Sequence, residues 1–258
     1  MDNHDRKARR AKVSLIAIGA VAVAALLAGG VTAIAALDGD SGTPPTAGPS
    51  AQASSAPTGG GAKEAMTPDK AKKISLVSPT GQQDGASIGF PHSVPGAISA
   101  AVYFWEEYAF LDDQQARRQL EVVTSPDATG YIDEQISEVR KLREGAGLPP
   151  SGPAPAGVTF TTSVEAVRVT SVDVPGLPLG DVVQVWMHYD RYATGPDGGA
   201  DDNPLKDETD DLFLKWQDGA WKLTNEPDVV KRGSFPVAYF PESPHAWRDG
   251  WKQVKRAD

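Results

Sequence analysis

The chain has 258 residues, 40 % of them apolar and 23 % charged, with a formal charge of −9 and no cysteine. That balance suits a packed core, and the missing cysteine excludes a disulfide framework, a thiolate zinc site, a catalytic thiol and a lipid anchor through cysteine. Residues 73–258 carry seventeen Lys/Arg against twenty-eight Asp/Glu, and so acidic a surface disfavours nucleic acid and anionic lipid while keeping a domain soluble.

Residues 1–12 form a basic stub with Arg6, Lys7, Arg9, Arg10 and Lys12. Val13 to Leu37 then runs for 25 residues without a charge, its only hydroxyls being Ser14 and Thr32. As a helix this stretch reaches about 37 Å, enough to cross a ~30 Å hydrocarbon core with tilt. The cations ahead of it predict a cytoplasmic N-terminus and an extracytoplasmic C-terminus for a single-pass cell-membrane protein. A cleavable signal peptide competes, because Ala33 and Ala35 form an A-x-A pattern, but the apolar run is longer than the usual h-region. Residues 38–73 are mostly Gly, Pro, Ser, Thr and Ala and bury too little to recover their ordering entropy, so they read as a flexible linker.

Folded structure is predicted over residues 74–227. Pro95 to Leu111 places Ile98, Val102, Trp105 and Ala109 at helical spacing, with Phe104, Tyr108 and Leu111 as a second apolar row, which predicts a core helix. Asp112 and Asp113 predict the cap of a second helix with Ala116, Leu120 and Val123 inward. Ile132, Ile136, Val139 and Leu142 predict a third, ended by Gly145 and Gly147. Alternation then replaces helical spacing. Val158 to Val174 reads as a long strand whose phase shifts at 166–167, hence a bulge. Val182 to Tyr192 reads as a second strand, and Leu212–Trp216 with Trp221–Leu223 as a hairpin about Asp218-Gly219. The acidic run from Asp201 to Asp211 falls between strands and reads as a solvated loop. Residues 228–258 form a C-terminal extension, with Phe235–Phe240 as a short added strand. An amphipathic helix is expected over Ser243–Lys255, where Trp247, Trp251 and Val254 lie at i, i+4 and i+7. These three are a candidate partner interface. The expected class is α+β: a membrane helix, then three helices packed on a curved antiparallel sheet.

A tryptophan-bearing first helix, two shorter helices and a meander ending in Leu214-Lys-Trp-Gln-Asp-Gly-Ala-Trp-Lys-Leu223 resemble the nuclear-transport-factor-two-like cone fold. With an anchor and a tether, the architecture is similar to VirB-type scaffold proteins of type IV secretion and to conjugation-channel proteins of Gram-positive elements. Gly89 to Val102 resembles the domain-opening segment of membrane proteins from actinobacterial mobile elements. The resemblance implies an extracytoplasmic interaction or scaffold protein of a conjugation-type or secretion-type envelope assembly. Its partners would be other envelope proteins or further copies of the chain. An extracytoplasmic module binding a small ligand, a lipid or cell-wall fragment, is the alternative.

No enzyme is expected, and neither a cofactor nor a metal. There is no H-E-x-x-H, no G-x-S-x-G and no phosphate-binding Gly loop. The best pocket candidates are Trp186, His188, Asp190 and Tyr192, which share one strand face. Against this, Val183, Val185, Met187 and Tyr189 form the apolar set, which puts His188 on the solvent side and inert. His92 is read as bracing the first helix, and Trp105, Trp216 and Trp221 as core aromatics.

Overall fold

A computed structural model describes residues 70–195, 201 and 204–256. The predicted membrane helix at 13–37 and the linker up to residue 69 lie outside the described residues. Among the described residues, no helix is long and apolar enough to cross a membrane.

The fold is α+β with a mixed sheet. The strands are β1 (Lys73–Ser75), β2 (Gly81–Gln83), β3 (Ala86–Ile88), β4 (Thr159–Ser171), β5 (Val182–Thr194), β6 (Leu205–Gln217), β7 (Ala220–Leu223) and β8 (Lys252–Lys255). The helices are α1 (Val94–Glu107), α2 (Asp113–Val123), α3 (Tyr131–Gly145) and the short α4 (Pro227–Val230). The main sheet runs β1-β8-β4-β5-β6-β7, and β2-β3 is a separate hairpin. The expected sheet was wholly antiparallel. It is mixed because β1 pairs parallel with β8, through Ile74 and Val254, bringing the two ends of the fold together.

The segment before α1 shows how local sequence sets the fold. Ser93 caps the helix, its hydroxyl accepting the Gly96 N–H at 3.2 Å. The Pro91 carbonyl, which accepts the Trp221 indole N–H at 2.9 Å, lies only 2.0 Å from where a side chain at Gly96 would begin. Glycine is therefore required inside this helix despite its cost in helix propensity. The Asp112 side chain caps α2, accepting from Gln114 and Gln115 N–H. Helix α3 ends at Gly145 as expected.

Strand β4 carries the expected bulge, with the register shift between Val164 and Ala166. Glu106 accepts the Val164 N–H there and pairs with Arg256. Strand β5 presents Val183, Val185, Met187 and Tyr189 to the helices, where they join Ile98, Val102, Phe104, Trp105, Leu120 and Ile136 in the main core. The opposite face of the sheet is not left to solvent. Residues 231–251 fold back over it, and Ala166, Trp186, Ala246 and Trp251 form a second core there.

That cover corrects several expectations. Ser243–Lys255 is not a helix. Residues 239–250 make successive turns, Gly250 takes a φ of +98°, and the chain then enters β8. The spacing of Trp247, Trp251 and Val254 therefore marks three different environments. Trp251 is buried with its indole N–H on the Ala238 carbonyl at 2.8 Å, Trp247 packs on Phe240, and Val254 packs on the main core. They present no common face to a partner. Phe235–Phe240 is not a strand either. Asp249 holds the Val237 and Ala238 N–H groups in place of a ladder. The acidic run is a loop only in part: β6 begins at Leu205, and Asp207, Glu208, Asp210 and Asp211 lie within it, while Asp201 precedes it and Asp202 lies outside the described residues.

Candidate functional site

Trp186, His188, Asp190 and Tyr192 do share a face, but it is the face under the C-terminal extension. The Trp186 indole donates to the Ser234 carbonyl at 2.9 Å. His188 is 2 % exposed, which corrects its solvent-side placement. Its ring stands edge-on to Phe240 with centroids 4.9 Å apart, and its Nε2 lies 3.4 Å from Asp207 Oδ1. Burial lowers its pKa, against the opposing pull of Asp207 and Asp190. Asp190 accepts from Lys206 Nζ and the Tyr192 hydroxyl at 2.8 Å each and from the Asp207 N–H at 3.1 Å. Burial raises its pKa, but these bonds outweigh burial and hold it below the usual carboxylate range. The four residues thus divide into a packed pair, Trp186 and His188, and a surface network, Asp190 with Tyr192.

The helix side of the same strands carries a polar cluster. Leu212 and Leu214 of β6 face the helices, so period-two geometry turns Asp210 and Glu208 the same way. Met187 pairs with Asp210 and Tyr189 with Glu208 across the ladder. Arg191 lies past a register shift on β5. Its guanidinium sits 3.7 Å from the Phe110 ring centre, 5.1 Å from Tyr189 and 5.5 Å from Trp105, with Nε donating to Thr162 at 3.0 Å. Trp105 and Tyr108 both stand edge-on to Phe110. From α3 come Tyr131, coupled electrostatically to Tyr108 and Asp210, and Gln135 one turn further on.

Four buried polar atoms of this cluster have no hydrogen-bond partner in the protein: Trp105 Nε1, Tyr108 OH, Gln135 Oε1 and Arg191 Nη2. Buried polar groups are nearly always paired, and an unpaired one costs about 1–3 kcal/mol. Four of the seven such atoms among the described residues lie in this cluster.

The electrostatics agree. Asp210 is enclosed by protein yet keeps part of its surface in contact with solvent. Burial pushes its carboxyl up to about 7, against the Asp211 N–H bond and Arg191, while Asp211 and Glu208 raise it further. Burial likewise raises Glu208 and the phenols of Tyr108, Tyr131 and Tyr189, and lowers Arg191. A carboxyl pushed up to about 7, beside indole, phenol, guanidinium and amide groups, gives the cluster both donors and acceptors.

Sequence reasoning missed Asp210, Glu208, Arg191, Tyr131 and Gln135. The signal was present, because carrying the inward phase of Leu214 and Leu212 two and four residues back reaches Asp210 and Glu208.

Elsewhere, a cleft of about 30 Å³ between β3, α1 and β7, lined by Phe90, Phe104, Trp221 and Leu223, has room for about one water. Among the described residues, no group of three His, Asp or Glu side chains is placed to hold a metal ion. Comparison of the chain with protein-family models, curated proteins and solved structures gives no match in any of the three.

Proposed function

We propose that the chain is a membrane-tethered extracytoplasmic binding module whose ligand is a compact polar molecule held between α1, α3 and the inner face of β5 and β6. The tether and orientation come from the charge-free run at 13–37 and its basic flank. The observation carrying the ligand is the set of four unpartnered buried polar atoms around Trp105, Tyr108, Gln135 and Arg191. A lipid is a poor candidate: Phe104 and Trp105 are buried at 5 % and 1 % exposure and fill the apolar part of the interior. What is left to satisfy is polar. The resemblance to cone-fold proteins agrees with an interior site but does not carry the proposal.

The test is a thermal-shift screen of the full chain, solubilised with its N-terminal segment, against amino acids, small carboxylates, sugars and polyols at pH 6 and 8. A subset should raise the midpoint, and Tyr108→Phe with Gln135→Leu should abolish that rise. If no compound stabilises the protein and the double substitution only raises its midpoint, the polar cluster has no ligand.

A second reading, the envelope scaffold, draws on a different surface. The imidazole of His92, 46 % exposed, stacks on Trp216 at 4.4 Å and pairs with Asp181 at 2.8 Å. Val94 and Leu179 stand exposed at 41 % and 78 % on the segments flanking that pair. Such an aromatic and aliphatic patch suits a protein interface. In-membrane crosslinking that captures an envelope protein, and fails with Leu179→Asp and Trp216→Ala, would support it. Unchanged crosslinking would remove it.

A further inference from the structure

The acidity of the domain is not evenly spread. Residues 74–251 hold thirteen Lys/Arg against twenty-seven Asp/Glu, whereas 70–73 and 252–256 together hold six Lys/Arg and no acid. The fold joins these two short segments. Lys73 of β1 lies opposite Gln253 of β8, and Ser75 opposite Lys255, at the edge of the main sheet. Ile74 and Val254 turn to the core, so Lys73 and Lys255 share the side covered by the extension. Among the described residues, Lys72, Lys73, Lys252 and Lys255 have no carboxylate partner, and all but Lys252 are exposed. Of the acids nearby, Glu106 of α1 is taken up by Arg256 and the Val164 N–H, and the exposed Glu165 of β4 accepts from the Ser163 hydroxyl and interacts with Arg256.

On the same side of the sheet the extension displays two apolar side chains, Val237 at Asp249 just ahead of β8 and Phe235 further in, over Trp186 of β5. Phe235 is 75 % exposed and Val237 is 89 % exposed, although they flank a buried Pro236. Their backbone is fixed: Asp249 accepts the Val237 N–H at 3.0 Å, and the Trp251 indole holds the Ala238 carbonyl at 2.8 Å. Residues 249–251 run directly into β8. Rigidly displayed apolar side chains next to a cluster of lysines are the composition of surfaces that settle on anionic bilayers. Lysines on an edge strand also discourage strand addition, but that role does not call for exposed Phe235 and Val237.

We propose that the β1–β8 edge, with Phe235 and Val237, docks on the anionic headgroup surface of a phospholipid bilayer. Two features favour this occupant. One is the sign of the patch, opposite to that of the rest of the domain. The other rests on the proposed anchor and is position: the Lys72 carbonyl accepts the Gln253 N–H at this edge, so a tether preceding Lys70 would join the fold here. Docking would hold the domain in one orientation on the bilayer. Such docking would be local, the rest of the domain keeping the acidic surface that disfavours anionic lipid.

The absence of cysteine supplies the test. The full chain bearing Val237→Cys, labelled with an environment-sensitive fluorophore, is incorporated into vesicles of phosphatidylcholine alone or with phosphatidylglycerol. The expected result is a blue shift and loss of quenching by aqueous iodide only in the anionic vesicles. The shift should disappear in about 0.5 M salt and fall about fivefold in docked-to-free ratio for each lysine replaced in Lys73→Gln and Lys255→Gln, and by less in Lys72→Gln and Lys252→Gln, which alternate to the helix side. A label at Leu179→Cys should not respond. No shift in anionic vesicles, an equal shift in neutral ones, or indifference to the four substitutions would overturn the proposal. So would a lipid-independent shift that grows with protein concentration, which would mark self-association. Protein that fails to float with neutral vesicles but shifts with anionic ones would still support docking while removing the anchor.

Discussion

Replacing Asp210 by Asn should stabilise the protein, and by an amount that depends on pH. The Asp210 carboxyl is raised from 3.8 to about 7 in the fold, with burial as the leading cause. Between those values the folded chain binds more protons than the unfolded one, so stability falls as pH rises through the window and is flat above it. A shift of about three units corresponds to about 4 kcal/mol if fully realised. Because Asp210 retains contact with solvent, about 2 kcal/mol is the expected size. Asn removes the titration but keeps an oxygen to accept the Asp211 N–H, now bonded at 2.8 Å. Urea unfolding of both proteins from pH 4 to 8.5, followed by tryptophan fluorescence, should give curves that nearly coincide at pH 4. They should diverge by about 2 kcal/mol at pH 8, with the variant more stable. Parallel curves would show that Asp210 is solvated like any surface carboxylate and would refute the enclosed polar cluster.

Three further substitutions test the frame around the site. Gly96→Ala should destabilise despite alanine's helix propensity, by about 1–3 kcal/mol in chemical unfolding, because the new methyl group meets the Pro91 carbonyl. Arg143→Met should cost about 3 kcal/mol or more in the same assay. It strands the carbonyls of Leu111, Pro149 and Pro153 that the buried guanidinium serves. Trp251→Ala should cost about 3–5 kcal/mol and raise amide hydrogen exchange in residues 231–251 ahead of α1–α3, since Trp251 anchors the second core.

How much was legible in the sequence follows from how local each signal is. Helices α1–α3 and the β6–β7 hairpin were readable because 3.6-residue spacing, the Asp112 cap of α2 and Asp218-Gly219 act within a few residues, although Asp113, also expected to cap, instead holds Arg140, Ser151 and Gly152. The β4 bulge was readable from the broken alternation near 166. The C-terminal extension was not, because its aromatic spacing imitates a helix while Gly250 and the open β4 edge determine the actual path. His188 was misplaced for the same reason: nothing near it in sequence announces that residues 231–251 will cover its face. The candidate site was hidden by composition. A run of acids reads as solvated, yet β6 pairs with β5 from Leu205 onward, and pairing forces alternate acids inward.

The most direct measurement is the carboxyl titration of Asp210 by ¹³C NMR in aspartate-labelled full chain, assigned by difference from Asp210→Asn. The binding-module account predicts a midpoint near 7 that moves when a stabilising polar compound is added. A midpoint among the ordinary surface aspartates, unmoved by every compound, would contradict it.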